Sequence, residues 1–334
     1  MTTALIALLQ VQIPGTAEHR TTNIFEPLAT PANAEKNIGH LGLLITAAIF
    51  VVVASLIVYT MWRFRQKPGD NDLEEPPQVY GSNEIEAAWT VIPILIVFVL
   101  MGVTARVIAS VQDASPPRKA LHLDVIGHQW WWEIRYPDYG IVTANEIHVP
   151  ATPDGRRATY MRLMSADVIH SFWVPQLAGK TDLVPNRINY MWMDPKEPGV
   201  FIGNCAEYCG LQHAHMYLRV VAETPEEFDR WAAAQQKEIA MNPKSRQGLM
   251  AFYASGCIAC HVVRKTPASK RLAPDLTHLM TRQTLAAGVL ANTPADLRRW
   301  VSDPQGIKPG CLMPNMKLNA QQLDRVTAFL QTLE

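Results

Sequence analysis

Charge is scarce in this sequence. Charged residues make up 18% of the 334-residue chain, below the usual quarter of a soluble domain. Thirty basic and thirty acidic residues cancel, so the total charge predicts no nucleic-acid partner. Cysteine is scarce too. The five present, Cys205, Cys209, Cys257, Cys260 and Cys311, do not make a disulfide scaffold, and four of them form two close pairs with spacings that suit cofactors. Cys311 is left over and reads as a small core residue. No internal repeat and no low-complexity run occurs. The first ten residues, "MTTALIALLQ", lack a basic start or a small-residue cleavage site, which argues against a signal peptide.

What is abundant is apolar: 48% of the residues are hydrophobic, a skew that puts part of the chain outside water. "LGLLITAAIFVVVASLIVYTMW", residues 41–62, runs 22 residues without a charge. At about 1.5 Å per residue it covers roughly 30 Å, the thickness of a bilayer core. A second charge-free stretch, 87–105, within an expected span of about 87–108, contains Pro93, tolerable in a membrane helix with a kink expected. Arg63, Arg65 and Lys67 follow the first span, which favours a cytoplasmic loop and places both termini outside.

Beyond residue 113 the pattern changes. Short alternating runs such as "ALHLDVIG", "NEIHVP" and "ATYMRLMS" are separated by Pro, Gly and Asp clusters, which predicts an all-β sandwich or barrel. "TPEEFDRWAAAQQKEIA" predicts a connecting helix over about 225–240. The remainder is helical in pattern, with Thr293 and Asn319 as caps. The expected organisation is an N-terminal extracytoplasmic segment (1–37), a helix hairpin (38–112), a β domain (113–224), a linker helix (225–246) and an all-α domain (247–334).

Two motifs carry chemistry. "CIACH", 257–261, is the C-x-x-C-H pattern of covalent c-type haem attachment. Its thiols, Cys257 and Cys260, each add to a haem vinyl group and His261 faces the iron. "KPGCLMPNMKL" offers Met313, the expected sixth ligand, and Met316 as the alternative; a His–Met pair raises the haem potential. The stretch "CAEYCGLQHAHM" gathers two cysteines, two histidines and a methionine within residues 205–216. A closed zinc site could use three of these, but would leave Met216 unexplained. With His170 upstream, the set is soft and suits copper.

Two resemblances follow. "GLMAFYASGCIACH", "LAPDL" and "MPNMKL" resemble a class I cytochrome c domain, in which the carbonyl of the proline, here Pro274, orients the histidine ligand; the usual glycine before it is Ala273 here. The copper stretch resembles the cupredoxin-like CuA domain of subunit II of haem–copper cytochrome c oxidases. That resemblance implies Cys205 and Cys209 bridging two coppers, His170 and His213 each binding one, Met216 as a weak axial ligand and Glu207 ligating through its carbonyl. The Glu207 carboxylate would bind magnesium shared with subunit I, and His215 would be a surface or packing residue. "GHQWWWEIRYP" resembles the aromatic cluster where electrons enter at the first tryptophan, here Trp130. "NEIEAAWTVIP" resembles the start of the second membrane helix, with Glu86 at the mouth of a proton channel.

The implied partners are oxidase subunit I, subunit III, cytochrome c or another small electron donor, and the lipid bilayer of the cell membrane, with the cofactor domains on the periplasmic side. A CuA-containing nitric oxide reductase subunit and a structural subunit with a vestigial copper site are the alternatives. Residues 247–334 hold ten Lys/Arg against five Asp/Glu, and residues 113–225 ten against twelve. Opposite net charges predict a haem domain that meets the copper domain partly by electrostatics on its linker, with a fixed packed interface as the alternative.

Overall fold

In the computed structural model of the chain, the described residues are 22–69, 75, 78, 80–112, 120–154, 157–239, 243–268 and 272–334. Residues 1–21 of the expected N-terminal segment (1–37) therefore lie outside them. The chain divides into a helical unit, 34–114, and a second unit formed by the rest.

The helical unit is built from α1 (Thr30–Arg63) and α2 (Asn83–Gln112). Each extends beyond its charge-free run, to 34 and 30 residues, long and apolar enough to cross a bilayer. Leu44, Phe50, Leu56, Ile92 and Phe98 are exposed around both helices; apolarity on all sides suits a lipid surroundings, where every backbone group must be satisfied within the helix. Pro93 lies inside α2 and Glu84 and Glu86 sit in its first turn.

Among the described residues of the second unit, ten strands form two five-stranded sheets. They are β1 (Leu121–His128), β2 (Trp131–Tyr136), β3 (Ile141–Ala144), β4 (Glu146–Pro150), β5 (Thr159–Ser165), β6 (His170–Trp173), β7 (Thr181–Leu183), β8 (Asn189–Met193), β9 (Gly199–Cys205) and β10 (Tyr217–Glu223). The sheet orders are β3-β2-β1-β5-β8 and β4-β10-β9-β6-β7. Period-2 alternation explains their burial: Leu121, Leu123 and Val125 of β1 join Phe172, Phe201, Leu218 and Val220 of the other sheet in one core. Residues 22–33 lie against this domain, where the Thr30 backbone N–H and hydroxyl both donate to Asp194 at 2.7 Å.

The linker departs from expectation. A helix to about residue 240 is expected, but α3 (Pro225–Gln235) stops earlier. A full capping box at Thr224 and Glu227 starts it, and at its end the Arg264 guanidinium takes the Gln235 carbonyl. Residues 240–242 of the linker lie outside the described residues.

The C-terminal domain carries α4 (Pro243–Ala254), α5 (Pro294–Ser302), α6 (Pro304–Ile307), α7 (Ala320–Leu330) and a two-stranded ribbon, β11 (Thr284–Leu285) with β12 (Leu290–Ala291). Thr293 and Asn319 cap α5 and α7 through side-chain oxygens, as their sequence context predicts. Phe252, Leu297, Leu323, Val326 and Phe329 form a core separate from that of the sandwich. Cys311 is half-buried beside Gln305 and is not a core residue.

Candidate metal centre and haem attachment site

The metal site is a strand end, a loop and a strand start. β9 ends at Cys205 and β10 begins at Tyr217, with Asn204 opposite Tyr217 across the antiparallel pair. The Cys205 N–H donates to the Met216 carbonyl at 3.2 Å and closes the base of the loop. A 3-10 turn over His213–His215 folds the chain back. β6 supplies the upstream ligand, because Phe172 pairs with Cys205 and so brings His170 to the loop. The His170 ring lies against Gly127 of β1, where an added Cβ would stand 2.7 Å from the ring. No other residue type fits there without moving the histidine.

All six expected donors converge. The Cys205 and Cys209 sulfurs are 3.8 Å apart. Nδ1 of His170 is 3.9 Å from Cys205 Sγ, and Nδ1 of His213 is 3.6 Å from Cys209 Sγ. Met216 Sδ lies 3.9 Å from Cys209 Sγ, and the Glu207 carbonyl 3.2 Å from Cys205 Sγ. Each sulfur thus has its own imidazole and its own weak donor. Both cysteines are free and buried, as are His170 and Met216. Two central sulfurs with donors arrayed on either side fit a pair of soft ions, whereas a closed tetrahedral zinc site would leave two donors unused.

Electrostatics prepares the site for metal. The hydrogen bond with Cys209 is the largest influence on Cys205 and, with contacts to His170 and backbone groups, holds its thiol pKa well below the usual cysteine range. The same contact, with burial, pushes Cys209 up. That downward direction favours the thiolate at Cys205, the form that binds metal. Burial acts to lower His170, but hydrogen bonds to Asp167 and Cys205 outweigh it and the net direction is upward. Asp167 is the residue that sequence reasoning missed. Its carboxylate lies 2.8 Å from His170 Nε2 and accepts the Gln129 N–H at 2.7 Å. A carboxylate three residues before a candidate histidine ligand was the available signal.

The aromatic cluster flanks this site. Trp130, just before β2, is 9% exposed and donates from Nε1 to the Cys209 carbonyl at 3.0 Å. Trp132 is buried edge-on to Phe172, while Trp131 stacks on His128. The Glu207 side chain and His215 are exposed.

The haem motif is a single tight turn. Cys257–Ala259 is 3-10, and the His261 N–H donates to the Cys257 carbonyl at 3.1 Å. His261 Nδ1 is 2.8 Å from the Pro274 carbonyl, so Nδ1–H donates there and Nε2 keeps its lone pair for a metal. Burial lowers the His261 pKa and keeps the ring neutral. Cys257 and Cys260 are both free. Arg282 Nε and Tyr253 Oη are buried without a hydrogen-bond partner in the same domain, and orphaned polar groups of this kind suit a large group with acidic substituents. Met313 is half-buried and Met316 is 39% exposed, with its Cε 3.4 Å from where a Gly256 Cβ would stand. Glu86 is exposed, in a different unit.

Three family models match along the chain: cytochrome c oxidase subunit II, transmembrane domain, over 19–105; cytochrome c oxidase subunit II, periplasmic domain, over 152–223; and cytochrome c over 245–334. Among curated relatives, cytochrome c oxidase subunit 2 of Alkalihalophilus pseudofirmus is 33% identical over 88% of this chain and 85% of its own. The Bacillus subtilis protein of the same name is 32% identical over 99% of this chain and 96% of its own. Among solved structures, the periplasmic domain of subunit II of cytochrome oxidase of Bradyrhizobium japonicum is 28% identical. It covers 36% of this chain and 97% of its own, with a TM-score of 0.34.

Proposed function

The chain belongs to the cytochrome c oxidase subunit 2 family, and from that premise we propose the path its electrons take. An extracytoplasmic donor reduces a covalent haem c at Cys257, Cys260 and His261. The electron passes to a dinuclear copper centre held by Cys205, Cys209, His170, His213, Met216 and the Glu207 carbonyl. It then crosses to haem in subunit I, where oxygen is reduced to water with proton pumping. The observation that carries the reading is the convergence of all six donors around two buried sulfurs.

When bound, the copper pair and the haem supply one-electron carriers. The protein's part is to keep their surroundings still. Strand pairing fixes His170 and Cys205, the closed loop fixes the other donors, and the Pro274 carbonyl fixes the His261 ring. A donor set that hardly moves on a change of oxidation state keeps the reorganisation cost of transfer low. The exposed Glu207 carboxylate is free to meet magnesium at the subunit I boundary while its carbonyl serves the copper side. Trp130 is proposed as the residue where electrons enter the copper domain, Met313 as the sixth haem ligand, and Glu86 as the entrance of a proton channel. Residues 34–114 anchor the chain in the cell membrane with the cofactor domains on the periplasmic side, and subunit III completes the assembly.

Copper and haem analysis of the purified full chain tests the assignment. The expected result is a copper pair with near-infrared absorption and one haem that resists acid–acetone extraction. Stoichiometric zinc, or an extractable haem, overturns it. In the assembled enzyme, Glu86→Gln is expected to slow oxygen consumption; unchanged turnover removes Glu86 from the proton path.

A further inference from the structure

We propose that Lys308 and Glu146 are positioning residues that lock the haem domain in a fixed seat over the Trp130 side of the copper domain. In that seat, electrons reach the copper pair from the chain's own haem and no external donor can dock at Trp130. The seat stands on geometry alone; its consequence for electron flow rests on the function proposed above.

Lys308 follows α6 in the haem domain and is only 3% exposed. Its Nζ donates to the carbonyls of Trp130 and His215 at 2.8 Å each and to that of Ala286 at 3.2 Å. An ammonium has three N–H donors, and here each meets a carbonyl, two on the copper domain and one on the haem domain. Burying a cation is costly unless its hydrogen bonds are made, so the geometry is that of a closed joint. Beside it, Gln212 of the ligand loop donates from Nε2 to the Pro309 carbonyl at 2.6 Å.

The second anchor has the opposite charge. Glu146 starts the edge strand β4 and is 1% exposed. Its carboxylate accepts the backbone N–H groups of Gln283 and Thr284 at 2.8 and 2.9 Å, and the Thr284 hydroxyl at 3.1 Å. Arg219, opposite Glu146 in the register of β4 and β10, donates from Nη1 to the Gln283 side chain at 2.8 Å. Between the anchors, the Tyr217 N–H donates to the Ala287 carbonyl at 3.1 Å. Gly288 sits there with φ +85, where a Cβ would stand 2.8 Å from that of Tyr217; only glycine allows the two backbones so close.

The linker is fastened as well. Gln235 at the end of α3 donates from Nε2 to the Thr281 hydroxyl at 3.0 Å. These are specific contacts between the two domains, made by buried side chains and by backbone groups. They replace the tethered encounter expected from net charge. The seat engages the Trp130 carbonyl, while its indole N–H stays with the Cys209 carbonyl inside the copper domain.

The test uses the full chain with its cofactors. By hydrogen–deuterium exchange, the amides of Gln283, Thr284 and Tyr217 are expected to exchange as slowly as strand amides. Lys308→Met and Glu146→Gln should each cut that protection by about tenfold or more, leaving β1 and β2 protected. Flash-induced haem-to-copper transfer in the unaltered chain should be insensitive to added glycerol and salt. In Lys308→Met it should slow by roughly tenfold and become viscosity-dependent, with the near-infrared copper and haem spectra unchanged. Loop-like exchange of these amides in the unaltered chain, transfer that slows in proportion to viscosity, or full protection in both variants overturns the lock. If a variant does not fold, exchange and viscosity data on the unaltered chain decide alone. Missing copper or haem spectra would instead count against the proposed function, which the exchange data do not depend on.

Discussion

The copper loop and the haem turn hold ligands for electron carriers with very different amounts of protein. In the loop, donors from β6, β9 and residues 205–216 stand around two sulfurs, and protein hydrogen bonds fix most of them. In the haem region the Pro274 carbonyl aims His261, while the candidate methionines lie in the irregular stretch before α7. The difference follows from what each cofactor brings. Copper ions bring no ligands, so the fold must supply and restrain the whole set. Haem brings its own equatorial nitrogens, and two thioether bonds replace much of the preorganisation. The protein's remaining control is over the axial pair and the surroundings.

The largest effects should come from the four paired cysteines, and they test whether the two regions are independent. Cys205→Ser or Cys209→Ser is expected to abolish the near-infrared copper absorption and leave the covalent haem spectrum intact. Cys257→Ala together with Cys260→Ala should lose the covalent haem and keep the copper band. The two domains have separate cores, which is why each loss should stay local. Both chromophores vanishing in either variant would break the comparison, since it would mean one cooperative unit.

A smaller change should separate the two methionines. Gln305 Nε2 donates to the carbonyls of both Cys311 and Met313, at 2.8 and 2.7 Å, and so pins the turn that carries Met313. Met313→Ala should remove the weak long-wavelength methionine–iron band and lower the haem potential, because a thioether ligand favours the reduced iron. Met316→Ala should do neither. The reverse outcome in absorption and redox titration would move the ligand to Met316 and make the haem region less ordered than the copper loop by one more residue.

Much of this was legible in the sequence because it is local. Five of the copper donors lie within residues 205–216, the haem motif is contiguous, and both apolar helices are single runs. His170 was reachable only through the soft-ligand chemistry, since its placement depends on β6 pairing with β9. The anchors were not legible. Lys308 in "GIKPG" and Glu146 in "ANEIHV" look like solvated charges, and only tertiary packing brings three carbonyls to one and two backbone N–H groups to the other. The length of the linker helix was not legible for the same reason, because α3 ends where a distant arginine donates to its last carbonyl. Net charge summed over each domain said nothing about these buried contacts.

The smallest predicted effect sits one shell out from the copper donors and has no side-chain counterpart at the haem. Both regions orient a histidine by a hydrogen bond to its second ring nitrogen. At His261 the acceptor is the backbone of Pro274, beyond the reach of a side-chain substitution. At His170 it is the Asp167 carboxylate, which also accepts the N–H groups of Gln129 and Val168 at 2.7 Å each. His170 Nε2–H donating to that carboxylate leaves Nδ1, the nitrogen 3.9 Å from Cys205 Sγ, as the metal donor. A charged acceptor also raises the basicity of the ligand. Asp167→Asn keeps the shape and one acceptor but removes the charge, so the site should form with weakened affinity. Outer-shell changes of this kind cost about 10–100-fold in metal affinity. Competition between the full chain and a copper chelator measures it, with the covalent haem band as an internal reference. An Asn variant that retains copper as tightly as the unaltered chain would show that the carboxylate charge adds nothing, and that a neutral acceptor serves His170 as the Pro274 carbonyl serves His261.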